Sequence, residues 1–146
     1  MRVLPGKKDR TSATGRPTAA LPACHCGTRL AYDNCCGPLH QNLAEKAAPT
    51  AQALMRSRYS AYVLGLNDYL MATWHMETRP AHIETSPGGL QWLGLEVRRD
   101  AVIDEEHAEV EFVARSKLNG RAQRLHEVSR FVRENGRWLY VDGQML

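Results

Sequence analysis

The stretch LHEVSRFVRENGRWLYVDG, Leu125 to Gly143, decides the fold. A β-rich run carrying Leu125, Val128, Phe131 and Val132 extends to Glu134, with polar and apolar groups mixed on either face; Asn135-Gly136 interrupts it, and a second β-rich run follows from Trp138. Period-two patterning marks strands, and Asn-Gly between two such runs is a two-residue hairpin signal. Leu125, Glu127, Ser129 and Phe131 share one face of the first strand; His126, Val128, Arg130 and Val132 share the other. Leu125 and Phe131 are the bulkier apolar pair. Their face is therefore read as inward, which carries Glu127 and Ser129 into the interior.

The same texture extends back to Leu90. LQWLGLEVRRDAVID, residues 90–104, reads as a long strand, HAEVEFVARSKLNG as a second ending on Asn119-Gly120, RAQRLHEVSRFVREN as a third, and the segment after Asn135-Gly136 as a fourth. Ahead of the strands the period changes. Pro49-Thr50 is a helix start, and Ala51, Leu54, Met55, Arg58, Tyr59, Tyr62 and Val63 fall at i, i+3, i+4 spacing. Gly65 ends that helix, and Asn67 or Asp68 is read as capping a short second one with Tyr69, Leu70, Met71 and Trp74. RPAHIETSPGGL is a turn-rich link. Helices followed by an antiparallel meander predict an α+β domain over residues 49–146, a curved sheet packed on N-terminal helices with room for a cavity at one end.

The chain has 146 residues and a net charge of +3. Residues 1–23 carry Arg2, Lys7, Lys8, Arg10 and Arg16 against Asp9, so the basic character belongs to the start of the chain. Residues 1–22 are rich in Pro, Gly, Thr and Ala, and read as a disordered basic tail. They lack the apolar core of a secretory signal, no apolar run is long enough to span a membrane, and the cytoplasm is the expected compartment.

All four cysteines lie in CHCGTRLAYDNCCGPLH, Cys24 to His40. In a reducing compartment the C-x-C-x8-C-C spacing points to one metal ion rather than to disulfides or a redox dithiol. Cys24 and Cys26 can meet an ion across a tight turn, and the run to Cys35 doubles the chain back. Four thiolates make a closed tetrahedral zinc site, which is structural and leaves no position for water. His25 and His40 are alternatives to Cys36 as the fourth ligand, and Cys36 is preferred.

The match at Cys24, Cys26, Gly27, Tyr32, Cys35, Cys36 and Gly37 resembles the SEC-C motif, the small zinc module found in the preprotein translocase motor SecA and in many bacterial proteins. The resemblance implies Cys24, Cys26, Cys35 and Cys36 as zinc ligands within a knuckle at 23–42. Thr28, Arg29 and Leu30 depart from the motif's usual Ser, Gly and Lys. LMRSRYSAYVLGLNDYLMATWHMETRP, WLGLEV, VEFVARSK and LHEVSRFVRENGRWLYVDG resemble the YchJ-like family, which implies a conical domain similar to nuclear transport factor two and the SnoaL-type cyclases.

Arg56, Arg58, Tyr59, Tyr62, Trp74, His75, Glu127 and Ser129 are the pocket candidates. Glu127 is read first as the buried partner of Arg56 or Arg58, since a buried carboxylate needs one. It is second a candidate general base. Two functions follow, the first preferred and the second its alternative. One is a non-enzymatic adaptor that docks a protein through the knuckle, with the basic tail attracted to a ribonucleoprotein. The other is a small-molecule-binding or isomerase-like cone using Glu127. A homodimer through His126, Val128 and Arg130 is an expectation from fold analogy. The discriminating observation is whether Glu127 is tied to an arginine or stands open to a cavity.

Overall fold

Thr50 begins the main helix as the sequence predicts. Its Oγ1 accepts a hydrogen bond from the Ala53 N–H at 3.0 Å, satisfying one of the donors that a helix start leaves free. In the computed structural model, which describes residues 22–85 and 87–146, this helix, α2, runs Ala51–Leu64, and Gly65 closes it in the left-handed conformation. A one-turn helix α1, Gly37–Gln41, precedes it, and α3, Asn67–Ala72, follows. Asn67 is the first residue inside α3 rather than its cap, and its amide reaches the carbonyl of Ile83 instead. Leu66 takes the cap position with no side-chain bond. The basic tail expected at the start of the chain lies outside the described residues, apart from Pro22.

Four antiparallel strands follow in simple meander order: β1 Leu90–Asp104, β2 His107–Leu118, β3 Arg121–Glu134 and β4 Arg137–Met145. Asn135 and Gly136 both have positive φ, 52° and 76°, which is what the tight β3–β4 hairpin requires. Register shifts interrupt the β1–β2 ladder at three places and the β3–β4 ladder between Arg130 and Phe131. Such bulges bend a sheet, and here they curl it over α2. The free edge of β4 is covered. Tyr140 N–H donates to the Thr73 carbonyl and His75 N–H to the Tyr140 carbonyl, so the segment after α3 adds a short parallel bridge.

The core lies between α2, α3 and the inner sheet face. Leu54, Leu70, Val110 and Phe131 are fully buried, with Tyr59, Tyr69, Phe112 and Trp138 around them. Glu127 and Ser129 lie on the inner face beside Phe131, as the alternation predicts. The outer face is ionic. Arg130 grips Asp142 through two hydrogen bonds of 2.6 Å, and His126 meets Glu111 at 2.7 Å.

A candidate metal centre and a chamber on opposite faces of one helix

Residues 22–36 form a small loop rather than a regular element. Ala23 bridges Ala31, the Cys24 N–H donates to the Leu30 carbonyl, and a 3-10 turn, Tyr32–Asn34, returns the chain to Cys35. The four sulfurs converge, all within 4.8 Å of one another. Cys26 and Cys35 are 3.5 Å apart and Cys35 and Cys36 are 3.9 Å apart. A tetrahedron with metal–sulfur bonds of about 2.3 Å has sulfur–sulfur edges of about 3.8 Å, so the donor set fits a single ion. With sulfurs alone sharing protons, the proximity of Cys36 draws the Cys26 thiol well below the ordinary range, while Cys26 and burial push Cys36 up. Cys24, Cys26, Cys35 and Cys36 are the residues that would hold a cation, which would favour the thiolate form of all four.

Hydroxyls surround the sulfurs. Thr28 Oγ1 is 3.1 Å from Cys35, and Ser60 Oγ lies 3.4 Å from Cys24 and 3.5 Å from Cys36. Hydroxyl contacts of this kind orient ligands and tune a metal site. His40 is not among the ligands. Its Nδ1 pairs with the Tyr32 hydroxyl at 2.7 Å and its Nε2 with the Ser57 carbonyl at 2.8 Å. His25 is exposed and outside the cluster.

The knuckle is fastened to the cone. Arg56 Nη1 donates to the Cys26 carbonyl at 2.6 Å, and Arg56 Nε is held by Gln52. Gly27 has φ +89°, and a Cβ there would come within 2.9 Å of the Leu95 carbonyl oxygen on β1. Both the backbone angle and the close approach therefore call for glycine.

On the other side of α2 a cavity of about 320 Å³ occupies one end of the curled sheet. Tyr59, Tyr62, Trp74, Trp92, Phe112 and Tyr140 give it aromatic walls, and the partly exposed Leu125 and Met145 border it. Among its lining groups are two opposite charges. Arg58 is 5% exposed, with its guanidinium carbon 4.9 Å from the Trp74 ring centre and 4.7 Å from that of Tyr140. Its Nη1 donates to the Leu70 carbonyl and to Thr73 Oγ1. Glu127, 6% exposed, accepts from Ser129 Oγ at 3.0 Å and from the Tyr140 hydroxyl at 2.9 Å, both at Oε2.

Among the described residues these two charges form no ion pair. Arg58 Nε and Nη2 and Glu127 Oε1 have no hydrogen-bond partner there, and none of them is a sealed orphan. Burial lowers Arg58 to about 10, opposed by Tyr62, Tyr140, Tyr69 and Glu127. It therefore stays cationic at neutral pH. Burial, reinforced by Glu127, pushes Tyr140 up, and burial raises Tyr59 to about 12. The indole N–H groups of Trp74 and Trp92 are buried without an acceptor among the described residues, an uncommon cost at one site.

Comparison with known proteins places this geometry. The family described as YchJ, middle NTF2-like domain, matches residues 50–143. A UPF0225 protein of Methylibium petroleiphilum is 61% identical over 127 residues, covering 87% of this chain and 90% of that one. The chain belongs to the UPF0225, YchJ-like family. The solution structure of a SEC-C motif containing protein from Rhodopseudomonas palustris superposes with a TM-score of 0.76 at 34% identity, covering 86% of this chain and 99% of that one. A crystal structure of a SEC-C motif containing protein from Psychrobacter arcticus gives 0.69 at 30% identity, covering 85% and 81%. The α+β cone with an N-terminal SEC-C knuckle is thus the architecture of this UPF0225 protein. No helix among the described residues is long and apolar enough to cross a membrane.

Against that family frame, the structure brings together Arg58, Tyr59, Tyr62, Trp74, Glu127 and Ser129 at the chamber and leaves out two pocket candidates. Arg56 is two residues from Arg58, about 200° around the helix at 100° per residue, and so faces the knuckle. His75 follows Trp74 in an extended bridge and points the other way, to Glu134 at 2.9 Å. The arginine pairing expected of Glu127 is replaced by Ser129 and Tyr140. Sequence reading passed over Tyr140 and Gly143. A Cβ on Gly143 would overlap the Glu127 carboxylate, so this glycine makes its berth. A lone glycine inside a strand is the signal that marks such a close approach.

Proposed function

We propose that this UPF0225 protein is a small-molecule-binding cone, with its four thiolates holding one structural zinc ion that fixes the knuckle to α2. The observation that carries the reading is that Arg58 and Glu127, which form no ion pair among the described residues, both line a chamber of aromatic and aliphatic side chains. A folded core without a ligand normally pairs or removes such charges. The cavity is within the size range of ligand sites, at the low end, and has their make-up of apolar walls with a few convergent polar groups. Glu127 lines the cavity, and its Oε1, with no hydrogen bond among the described residues, is left to accept one from the occupant. Three of the knuckle's four cysteines are buried, and Ser60 of α2 contacts two of them, so the adaptor reading gains no support from the cysteines.

The test is an NMR titration of the full chain with naphthylmethanol. The indole N–H signals of Trp74 and Trp92 are expected to shift, while that of Trp138, outside the chamber, stays. Leu125→Trp, which fills the mouth, abolishes the shifts. Shifts at all three tryptophans alike, or at none, would remove the chamber from consideration. For the metal, elemental analysis of reduced protein is expected to give one zinc per chain, lost in Cys35→Ser plus Cys36→Ser.

A further inference from the structure

The polar groups left open in the chamber define a complement. Arg58 uses Nη1 for Leu70 and Thr73, so the donors it has left for the cavity are Nε and Nη2. That edge of a guanidinium is a fork matching the two oxygens of a carboxylate. Its plane is already fixed by Trp74 and Tyr140, so little freedom is lost when the fork is filled. Glu127 presents the opposite demand. Oε2 is satisfied by Ser129 and Tyr140, and Oε1 needs a donor. Tyr140 spans the two, its ring near the guanidinium and its hydroxyl on the carboxylate, so both demands fall within the reach of one small molecule.

We propose that the chamber takes a small, flat, mostly apolar carboxylate, whose anionic end sits on the Nε/Nη2 edge of Arg58 and whose neighbouring hydroxyl or N–H donates to Oε1 of Glu127. This rests on the chamber reading above. The carboxylate supplies the contact partner that the Nε/Nη2 edge of Arg58 lacks among the described residues. The donor is required because a bare anion close to Glu127 is repelled. The aromatic walls favour a planar body, and a volume of about 320 Å³ limits it to one or two fused rings with short substituents.

Three probes on the same bicyclic ring separate the claims: naphthylmethanol, naphthoate, and hydroxynaphthoate with its hydroxyl beside the carboxylate. Calorimetry on wild type is expected to rank hydroxynaphthoate first and naphthylmethanol last, with naphthoate at least about tenfold tighter than the alcohol. Arg58→Gln removes the fork and brings naphthoate down to the level of the alcohol measured on the same variant. Arg58→Lys keeps the charge and recovers only part of the preference. Equal binding of naphthoate and naphthylmethanol to wild type overturns the proposal and leaves the chamber reading standing. The proposal also falls if folded Arg58→Gln keeps the preference. If no probe shifts Trp74 or Trp92, both readings fall together. Should Arg58→Gln not fold, the wild-type ranking alone decides.

Discussion

Gly143 lacks a side chain at the point where Glu127 needs the space, and this one position shows how the chamber's charge is held. An added methyl would overlap Oε2, the oxygen that Ser129 and Tyr140 both address. Gly143→Ala is therefore expected to destabilise the fold by about 1–3 kcal/mol, the usual range for overpacking. Thermal or denaturant unfolding measures it. In the double variant with Glu127→Ala the cost should fall well below the sum of the single costs, because the clash is with that carboxylate. Additive costs would show that Gly143 serves the backbone instead. Arg29 offers the reverse case. It holds φ +70°, a left-handed conformation, where the SEC-C pattern has glycine. Arg29→Gly relieves roughly 1–2 kcal/mol of strain and loses part of it to unfolded-state entropy. Unfolding of the metal-loaded protein should show a net gain of up to about 1 kcal/mol. A clear loss would mean that the arginine side chain holds the knuckle.

At the scale of elements, α2 links everything. Its Arg56, Ser57 and Ser60 meet the knuckle segment, while Arg58, Tyr59 and Tyr62 line the chamber. Ser57 and Ser60 are fully buried and small enough to let the neighbouring segment approach the helix. Ser60→Ala removes the hydroxyl that contacts Cys24 and Cys36, and metal retention against a competing chelator should weaken about tenfold or more. Unchanged retention would make Ser60 a packing residue only. The hairpin β3–β4 carries another local test. Its Arg130–Asp142 pair holds Asp142 below its ordinary value. A depressed carboxylate contributes stability that is present above the unfolded value of 3.8 and is lost as pH falls through the folded one. The coupling in a double-mutant cycle, under about 1 kcal/mol for so exposed a pair, should thus vanish below that window and be intact at neutral pH. Strands and hairpins were legible because alternation and Asn-Gly are local signals. The inward face of Glu127 followed from Leu125 and Phe131 for the same reason. The partners of Arg56 and Arg58 were not legible, since both lie beside one stripe and only the docked knuckle distinguishes their surroundings. Tyr140 meeting Glu127 depends on the β3–β4 register and its bulge, which no single strand reveals.

For the whole molecule, the two halves differ in how they are held together. The knuckle's buried residues are Cys24, Cys26 and Cys36, a cluster with no aliphatic side chain. The cone has its own core, to which the chain before residue 48 contributes Leu39 as a buried member and Leu43 as a partly buried one. Metal binding at the four cysteines would therefore be folding energy for the knuckle and a fastening for the cone. Stripping the ion should unfold residues 22–36 and free the contacts they make with α2, leaving the sheet intact. Hydrogen exchange on chelator-treated protein is expected to lose protection at the amides of Cys24, Tyr32 and Cys35, while those of β2 and β3 stay protected. Far-ultraviolet circular dichroism should retain its strand signal, and the melting temperature should fall. The chamber should respond too. Arg56 releases the Cys26 carbonyl and Ser60 loses its sulfur contacts, so the helix carrying Arg58, Tyr59 and Tyr62 is less firmly placed. Naphthoate affinity is thus expected to drop in the stripped protein and recover on adding zinc. Loss of the whole sheet on chelation would show that the cone cannot stand without its knuckle. Unchanged affinity would show that the two faces of α2 act independently.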